Sequence, residues 1–237
     1  MTQNKTSTRC STALRNQYQA GITPVIPDIK CKSPGEGDLL RGRDPVAIAK
    51  RLAEAGVPML SVVTEREHFG GSAKLLERIA ESTGIPVLRK DFITTRKHLL
   101  ETLDIGAQGV LLIASMLEKQ QLFRLFEEAV MLGLEPLVET HSREEILSIS
   151  GLDLTFLGIN NRNIQEWELD GGDVGTTEEL AGLVSPGTLV VSESSISSPG
   201  DVKRALKAGA HEVLVGTAIL QAADEVEMYR SLSHPWR

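Results

Sequence analysis

Eight short runs of β-branched and aliphatic residues alternate with longer helical segments along most of the 237-residue chain. The runs cover residues 25–30, 59–63, 86–89, 109–113, 135–139, 156–159, 188–192 and 212–215. Their starting points lie between 21 residues (135 to 156) and 34 residues (25 to 59) apart, the length of a strand–loop–helix–loop unit. Most runs lack alternating polar residues, which is typical of parallel strands covered on both faces. Eight such units predict an α/β fold, a (β/α)8 TIM barrel.

The segments between the runs carry residues that begin and end helices. A side chain that accepts a backbone hydrogen bond precedes the helix, and glycine often follows it. Three such signals are clear: Asp44-Pro45 with Gly56, Ser142 with Glu145, and Ser198-Pro199 with Gly209. We expect a single barrel domain over residues 1–237, in which residues 1–20 form a polar leader and a short N-terminal helix.

An open, doubly wound sheet is the alternative arrangement for alternating strands and helices. It usually carries a glycine-rich dinucleotide-binding turn after the first strand. Residues 30–37 (KCKSPGEG) lack the spacing of that turn. The barrel is therefore the favoured fold.

The composition limits both the core and the partners. Hydrophobic residues make up 41% of the chain and charged residues 24%, which is typical of a folded globular protein. Five Phe, two Tyr and two Trp are too few to fill the core, so we expect an aliphatic core. The 32 Asp and Glu outnumber the 25 Lys and Arg, and the resulting net charge of −7 argues against binding of nucleic acid.

Neither a membrane segment nor a secretion signal is predicted. No apolar run approaches the roughly 18 residues that a membrane-spanning helix needs, and residues 1–19 lack the apolar stretch of a signal peptide. Cys10 and Cys31 are too few for a disulfide framework, and we expect both to be reduced thiols. The sequence therefore predicts a soluble, cytoplasmic protein.

Polar residues collect at the ends of the predicted strands. Barrel enzymes do their chemistry at the carboxyl ends of the strands, because the loops that follow converge on one mouth. These ends carry Asp28 and Lys30, Arg89-Lys90-Asp91, Glu139, Asn160-Asn161-Arg162, Ser192-Glu193-Ser194-Ser195 and Gly216-Thr217. A single charge in such a place is usually solvated or paired, but Lys30, Lys90 and Glu139 on alternate strands indicate a catalytic site.

The ends of the last two strands indicate a phosphate site. Ser194-Ser195 and Gly216-Thr217 combine small side chains with backbone N–H groups beside helix N-termini. Barrel enzymes commonly bind phosphate in this way after their seventh and eighth strands. A tight turn is the plainer interpretation of either pair alone, but the two together favour phosphate binding.

No metal site is predicted. The five histidines show no spacing that is typical of metal ligands. His141, two residues after Glu139, is the one histidine that could belong to the site, although a loop or capping role is commoner for such a residue.

Motifs along the chain resemble, in order, those of the indole-3-glycerol phosphate synthase family. The resemblance runs from about Ser11 to the end of the chain. It rests most firmly on residues 88–92 (LRKDF) together with residues 158–162 (GINNR). The other matching segments are residues 24–34 (PVIPDIKCKSP), 61–65 (SVVTE), 68–72 (HFGGS), 137–139 (LVE), 191–194 (VSES) and 213–216 (VLVG).

The resemblance implies a decarboxylating carbon–carbon lyase that closes the indole ring in tryptophan biosynthesis. The substrate would be 1-(2-carboxyphenylamino)-1-deoxyribulose 5-phosphate, which loses carbon dioxide and water to give indole-3-glycerol phosphate. An electron-rich aromatic carbon attacks a ketone whose oxygen becomes negative, so a cationic acid has to protonate that oxygen. The resemblance implies no metal and no cofactor.

Three catalytic assignments and the binding residue Asp91 concern the first half of the chain. By resemblance, Lys90 is the acid, and its neighbour Asp91 helps to set the local charge. Lys30 holds the departing carboxylate and acts as a second acid, and Asp28 lies where the family has a catalytic carboxylate.

The remaining assignments concern the dehydration and the binding of the substrate. Glu139 is the base of the dehydration, and Asn160 and Glu193 position hydroxyl groups. The implied binding residues are Ser33, Ser194, Ser195, Gly216 and Thr217 for the phosphate, Phe69, Phe92, Leu111 and Trp167 for the aromatic ring, and Arg162 for the negative charges of the substrate.

The chain departs from the family's pattern at a few positions. Asp28 and Pro27 stand where the family usually has Glu and Ala, and aspartate is one methylene shorter than glutamate. Ser195 stands at a usual Gly and would strain its turn if the backbone φ is positive, and Asn163 replaces a usual Asp. The leader is shorter than the family's N-terminal extension, which implies a reduced lid over the aromatic ring.

These departures leave Lys30, Lys90, Glu139 and Asn160 in place, which favours an active enzyme. A diverged paralogue with an altered aromatic substrate and a non-catalytic phosphate-binding barrel subunit are the alternatives. A phosphate-binding barrel isomerase of the preceding pathway step is a further alternative, but it would not need both lysines together with Glu139.

The expected partner is a phosphorylated small molecule. We expect a monomer or a weak homo-oligomer, with other enzymes of the pathway as candidate partners.

Overall fold

The computed structural model describes residues 9–162 and 172–234, and these residues form an eight-stranded barrel with helices between the strands. The strands of the described residues are β1 Val25–Ile29, β2 Lys32–Ser33, β3 Gly37–Asp38, β4 Leu60–Val63, β5 Val87–Lys90, β6 Gly109–Ile113, β7 Glu135–Thr140, β8 Phe156–Asn160, β9 Leu189–Glu193 and β10 Glu212–Val215. Each barrel strand coincides with a predicted run to within one residue at each end.

The barrel is closed by pairing of its first and last strands. Going round it, the order is β1, β10, β9, β8, β7, β6, β5 and β4, and every neighbouring pair is parallel. Asp28 pairs with Ser61 across β1 and β4, and Val25 pairs with Val213 across β1 and β10. The prediction of a (β/α)8 barrel is confirmed, and the open sheet is excluded. The two short strands β2 and β3 form an antiparallel hairpin in the loop after β1.

Helices occupy the segments between the strands. In the described residues they are α1 Cys10–Gln19, α2 Pro45–Glu54, α3 Ala73–Thr83, α4 Arg96–Asp104, α5 Lys119–Met131, α6 Arg143–Ser148, α7 Gly175–Leu180, α8 Pro199–Ala208, α9 Thr217–Gln221 and α10 Glu225–Ser233. In this described part of the chain, none of the helices has both the length and the apolar character needed to cross a bilayer. Cys10 and Cys31 are both free thiols.

The predicted helix starts are found with one modification. Asp44 Oδ1 accepts the N–H of Val46 at 3.0 Å at the start of α2. Ser198 and Asp201 form a complete capping box at the start of α8. At α6 only half of the expected box forms: Ser142 Oγ accepts the N–H of Glu145, but the Glu145 carboxylate accepts the N–H of His141 instead of that of Ser142.

The strands separate two apolar layers. Their outward side chains pack against the helices, and their inward side chains fill the barrel with Ile26, Met59, Leu88, Leu111, Leu137, Phe156, Leu189, Val191 and Leu214. Most of these residues are aliphatic, as the composition predicts, and Phe156 is the aromatic exception in that list.

The helix α1 closes the amino end of the barrel. Its buried residues Cys10 and Leu14 join the apolar filling of the barrel. Ser11 hydrogen-bonds through its N–H and its hydroxyl to Glu135, the first residue of β7. This helix therefore lies at the opposite end of the barrel from the polar strand ends and does not form a lid over them.

Candidate active site

Six predicted catalytic residues meet at the carboxyl ends of five strands. They are Asp28 on β1, Lys30 just after it, Lys90 on β5, Glu139 on β7, Asn160 on β8 and Glu193 on β9. All except Lys90 are buried, and Glu193 and Glu139 are only 0% and 1% exposed. The geometry brings together side chains that lie up to 165 residues apart in the sequence (28 to 193).

Two adjoining cavities open at this mouth. The first, which we call the apolar lobe, is lined by Phe69, Phe92, Leu111 and neighbouring aliphatic residues, and also by Glu139. The second, which we call the polar lobe, encloses about 330 Å³ and is lined by Arg162, Ser194, Ser195, Gly216 and Thr217 among others. Asp28, Lys30 and Lys90 line both lobes. The two lobes are therefore parts of one site that meet at Asp28 and the two lysines.

Two predicted binding residues stand apart from this arrangement. Ser33 is buried in the β2–β3 hairpin, and of that loop it is Glu36 that lines the polar lobe. Trp167 lies outside the described residues. The other binding residues lie on the walls of the lobe to which the sequence assigns them, with Asp91 in the apolar lobe.

Lys90 is held between two buried carboxylates. Its Nζ lies 2.7 Å from Glu193 Oε2 and 3.6 Å from Glu139 Oε2. Burial by itself raises the pKa of Glu139, but the Lys90 ammonium and His141 outweigh burial and hold the pKa at about 2. Burial raises the pKa of Glu193 to about 7, with Lys90 opposing the increase and Glu139 adding to it. The Lys90 ammonium is therefore shared by two carboxylates, of which Glu193 holds a proton more readily than Glu139.

Several buried polar atoms of this cluster lack a hydrogen-bond partner among the described residues. They are Oε1 of Glu193, Nδ2 of Asn160, Nε2 of His141 and both carboxylate oxygens of Glu139, and the Glu139 oxygens have longer ionic contacts, with Lys90 at 3.6 Å and His141 at 3.4 Å. Asn160 Oδ1, in contrast, accepts the backbone N–H of Arg162 at 3.0 Å, which fixes the side chain. Since buried polar groups nearly always have partners, Oε1 of Glu193 and Nδ2 of Asn160 are an acceptor and a donor suited to a polar ligand.

Gly158 makes room for Glu193. A Cβ atom on Gly158 would lie 2.1 Å from Glu193 Oε1, far inside contact distance. The glycine of the GINNR segment therefore allows the carboxylate of β9 to lie across β8 toward Lys90. Sequence reasoning includes this glycine in a motif but does not find this role, because it depends on the side-chain path of Glu193.

Asp28 and Lys30 lie close to the start of α9. Ser61 donates a hydrogen bond of 2.6 Å to Asp28 Oδ1, which fixes the shorter carboxylate at this position. A Cβ atom on Gly216 would lie 3.1 Å from Lys30 Cε and 3.3 Å from Asp28 Oδ2. Gly216 therefore allows the end of β10 to approach both side chains closely. Lys30 Nζ lies 6.0 Å from the centre of the Phe69 ring.

Asp91 is part of a brace behind Lys90. Its Oδ2 accepts hydrogen bonds from Thr64 Oγ1 at 2.6 Å and from Arg89 at 3.0 Å, and its Oδ1 accepts the N–H of Phe92. Arg89 also donates to Thr64 and Thr102. These bonds fix the loop after β5, so Asp91 helps to position Lys90 and Phe92.

The turn after β9 has an unusual backbone. Ser194 and Ser195 have φ angles of +63° and +56°, in the left-handed region that glycine adopts more easily. The conditional expectation of strain at Ser195 is therefore met. Ser195 Oγ accepts a hydrogen bond of 3.2 Å from Arg162 Nε, which holds the guanidinium at the edge of the polar lobe.

Sequence reasoning names His141 as the one histidine that could belong to the site, but it does not find the pairing of His141 with Glu145 behind Glu139. His141 Nε2 lies 3.4 Å from Glu139 Oε1, and His141 Nδ1 lies 3.4 Å from Glu145 Oε2. The short spacing between Glu139 and His141 was the available signal, but the contact with Glu145 depends on the direction of α6.

Asn161 has a structural role. Its Nδ2 donates to Ser192 Oγ and to the backbone oxygens of Glu193 and Ser194, and its Oδ1 accepts from Thr177. These bonds join β8, β9 and α7 beneath the mouth.

Among the described residues, no group of three or more His, Cys, Asp and Glu side chains could hold a metal ion.

The fold and the charged cluster at its mouth define the class of the protein: a (β/α)8-barrel enzyme. The family model for indole-3-glycerol phosphate synthase matches residues 1–232. A relative of that name from Pyrococcus furiosus is 43% identical over 213 residues, which cover 90% of this chain and 92% of the relative. Relatives of the same name from Thermococcus kodakarensis and Halalkalibacterium halodurans are 41% and 39% identical and cover 88% and 86% of this chain, and 91% and 78% of the relatives.

The chain belongs to the indole-3-glycerol phosphate synthase family. Its activity is that of a decarboxylating carbon–carbon lyase of tryptophan biosynthesis, and the prediction from the motifs is confirmed.

Solved structures of other enzymes share the fold. N-acetylmannosamine-6-phosphate 2-epimerase from Clostridium perfringens aligns with a TM-score of 0.63 at 17% identity, covering 84% of this chain and 89% of its own. Orotidine 5'-phosphate decarboxylase from Pyrococcus horikoshii aligns with a TM-score of 0.61 at 15% identity, covering 88% of this chain and 98% of its own. At these identities the likeness concerns the fold alone.

Proposed function

We propose that the substrate lies across both lobes, with its aromatic ring in the apolar lobe and its phosphate in the polar lobe. The observation that carries this proposal is the position of Lys90, which lines both lobes and lies 2.7 Å from Glu193. A substrate with an aromatic ring at one end and a phosphate at the other would place its central ketone where the lobes meet. Lys90 is then the acid that protonates the ketone oxygen as the ring carbon attacks.

Lys30 is the group that holds the carboxylate of the aromatic ring and acts as the second acid. It lines both lobes and lies above the face of Phe69, beside the wall on which the ring would rest. Its charge opposes that of the carboxylate until carbon dioxide leaves. Asp28, fixed by Ser61, lies on the same wall and provides the catalytic carboxylate at the end of β1.

Glu139 is the base of the dehydration. Its low pKa means that it is ionised at neutral pH and can accept a proton. Lys90 is one cause of that low pKa, so transfer of the Lys90 proton to the substrate raises the basicity of Glu139 at the step where a base is needed. Asn160 and Glu193 position the hydroxyl groups, and their atoms without protein partners are suited to this role.

The phosphate lies in the polar lobe. Ser194, Ser195, Gly216 and Thr217 offer hydroxyls and backbone N–H groups there, and Arg162 adds a positive charge. Small residues beside helix N-termini are a common phosphate site in barrels of this kind. Ser33 and Trp167 are retained as proposed phosphate and ring contacts by resemblance alone.

We further propose that the enzyme acts in the cytoplasm as a monomer or weak homo-oligomer and needs no cofactor. Other enzymes of the pathway are its candidate partners. These proposals come from the sequence, and the phosphorylated small molecule is the substrate that the family supports.

The assignment of Lys90 is tested by Lys90→Met, with Lys97→Met as the matched control. Lys97 is 83% exposed on α4, away from the cluster, where it pairs with Glu101. We expect Lys90→Met to lower the single-turnover rate of ring closure by at least about a hundredfold, as loss of a general acid does. Indole fluorescence measures the product, and circular dichroism checks the fold. The assignment fails if a folded Lys90→Met protein closes the ring at the rate of the Lys97→Met control.

A further inference from the structure

A histidine and a glutamate lie behind Glu139, and none of the roles above uses them. His141 follows β7 directly, and Glu145 lies in the first turn of α6. Both side chains are largely buried, with 14% and 22% of their surfaces exposed. Their position links the mouth of the barrel to the start of a helix.

Two cations face the two oxygens of Glu139. His141 Nε2 lies 3.4 Å from Oε1, and Lys90 Nζ lies 3.6 Å from Oε2. Glu193 shares Lys90 on the far side of the cluster, and Asp28 lies close enough to influence Glu193. If Lys90 gives its proton to the substrate, His141 is the cation that remains beside Glu139.

Glu145 holds the imidazole from the other side. Its Oε2 lies 3.4 Å from His141 Nδ1 and accepts the backbone N–H of the same residue at 2.8 Å. The imidazole therefore has a carboxylate beside each ring nitrogen, an arrangement that favours a proton on both. Burial lowers the pKa of His141, but the two glutamates outweigh burial and raise the pKa to about 10.

The capping of α6 does not require this arrangement. Ser142 Oγ already accepts the N–H of Glu145 and begins the helix. An ordinary capping box would take the Glu145 carboxylate back to the N–H of Ser142, whereas here it reaches one residue further, to His141. The Glu145 carboxylate therefore contacts both the backbone N–H and the imidazole of His141.

We propose that His141, oriented by Glu145, is a positioning residue that fixes the Glu139 carboxylate and keeps it ionised while Lys90 protonates the substrate. This inference rests on the proposed role of Glu139 as a base. His141 does not line either lobe as the structure describes them, so it acts through Glu139 and not on the substrate.

The test compares His141→Gln, Glu145→Gln and Glu144→Gln. Glu144 is exposed in the same first turn of α6 and is the matched control. We expect His141→Gln to lower kcat on the order of tenfold with little change in KM, because the base is misplaced after the substrate has bound. Loss of one nearby cation also raises the pKa of Glu139, so the acid limb of kcat/KM should move to higher pH by roughly one unit. Glu145→Gln should also lower kcat, by a smaller factor, because the imidazole loses the carboxylate that orients it, and Glu144→Gln should match the wild type.

The outcomes separate this inference from the assignment of Glu139 itself. Suppose that Glu139→Gln is inactive while His141→Gln and Glu145→Gln both keep the wild-type kcat and acid limb. The positioning role of His141 is then wrong, and the assignment of Glu139 as the base stands. If Glu139→Gln retains full activity, the assignment of the base fails, and this inference fails with it. A loss of kcat in Glu144→Gln as large as that in Glu145→Gln would show a general effect of charge at the helix start, which also overturns the inference. Should His141→Gln fail to fold, Glu145→Gln decides the question.

Discussion

Two consecutive serines hold a left-handed backbone at the turn after β9. Their φ angles of +63° and +56° cost a residue with a Cβ atom about 1–2 kcal/mol each. A sequence that keeps serine at such positions needs a compensating contact, and Ser195 has one: its hydroxyl accepts a hydrogen bond from Arg162. The strain and the hydrogen bond act on different properties, so they can be separated by substitution.

We predict that Ser195→Gly raises the free energy of unfolding by about 1 kcal/mol, because glycine adopts positive φ without the Cβ clash. The lost hydrogen bond should weaken substrate binding by about 1 kcal/mol, or roughly fivefold in KM. Urea unfolding and steady-state kinetics measure the two effects. Ser195→Ala keeps the strain, so it should show the same change in KM without the gain in stability. A Ser195→Gly protein less stable than the wild type, or an unchanged KM in both variants, would contradict this account.

Individual residues differ in how far the sequence predicts them. Lys30, Lys90 and Glu139 could be assigned to the mouth because a strand end has a fixed direction in a barrel. The link from His141 to Glu145 could not, since it depends on the angle at which α6 leaves β7. The role of Gly158 could not either, because it depends on the path of the Glu193 side chain across the neighbouring strand.

At the scale of elements, the amino end of the barrel carries two buried glutamates with different surroundings. Glu135, at the start of β7, is bonded to Ser11 and paired with Arg9. Glu212, at the start of β10, is 1% exposed, and neither of its carboxylate oxygens has a hydrogen-bond partner among the described residues. Burial raises the pKa of Glu212 to about 8, with only Arg15 opposing it.

This raised pKa gives stability a defined pH dependence. The folded protein holds the Glu212 proton more tightly than the unfolded chain, in which the glutamate pKa is near its ordinary value of 4.5. The contribution is therefore complete below pH 4.5, declines as pH rises above it, and is lost by the time pH passes about 8.

We predict that Glu212→Gln removes this decline, because glutamine cannot ionise. The difference in melting temperature, variant minus wild type, should increase between about pH 5 and pH 8 and level off above that, where the folded protein also ionises Glu212. Thermal unfolding followed by circular dichroism at several pH values measures it, and groups other than Glu212 cancel in the comparison. A difference that stays constant over this range would show that Glu212 does not titrate there.

The bounds of the strands were predictable and the placement of α1 was not. Strand runs are marked by β-branched residues between turn signals, and the structure reproduces each to within one residue. The sequence of α1 shows a helix, but not which end of the barrel it closes. The contact of Ser11 with Glu135 places α1 at the amino end of the barrel. On the sequence alone, the short leader instead implies a reduced lid over the aromatic ring, at the carboxyl end.

At the scale of the whole molecule, barrel closure brings Lys30, Lys90 and Arg162 into the polar lobe, where they outnumber the acidic side chains of Asp28 and Glu36. The chain carries −7 overall, yet Lys30 and Lys90 line both lobes of the site and Arg162 lines one. A local group of cations can attract an anionic substrate to an acidic protein, because the nearby charges dominate the field in a cleft.

The extent of the domain, residues 1–237, stays a prediction.

The central claim is that this one site both removes the carboxylate and closes the ring. The most direct measurement mixes the wild-type protein with 1-(2-carboxyphenylamino)-1-deoxyribulose 5-phosphate and follows indole fluorescence and released carbon dioxide together. We predict equal amounts of indole-3-glycerol phosphate and carbon dioxide, formed with the same time course. Binding of the substrate without indole formation, or release of carbon dioxide without ring closure, would contradict the claim.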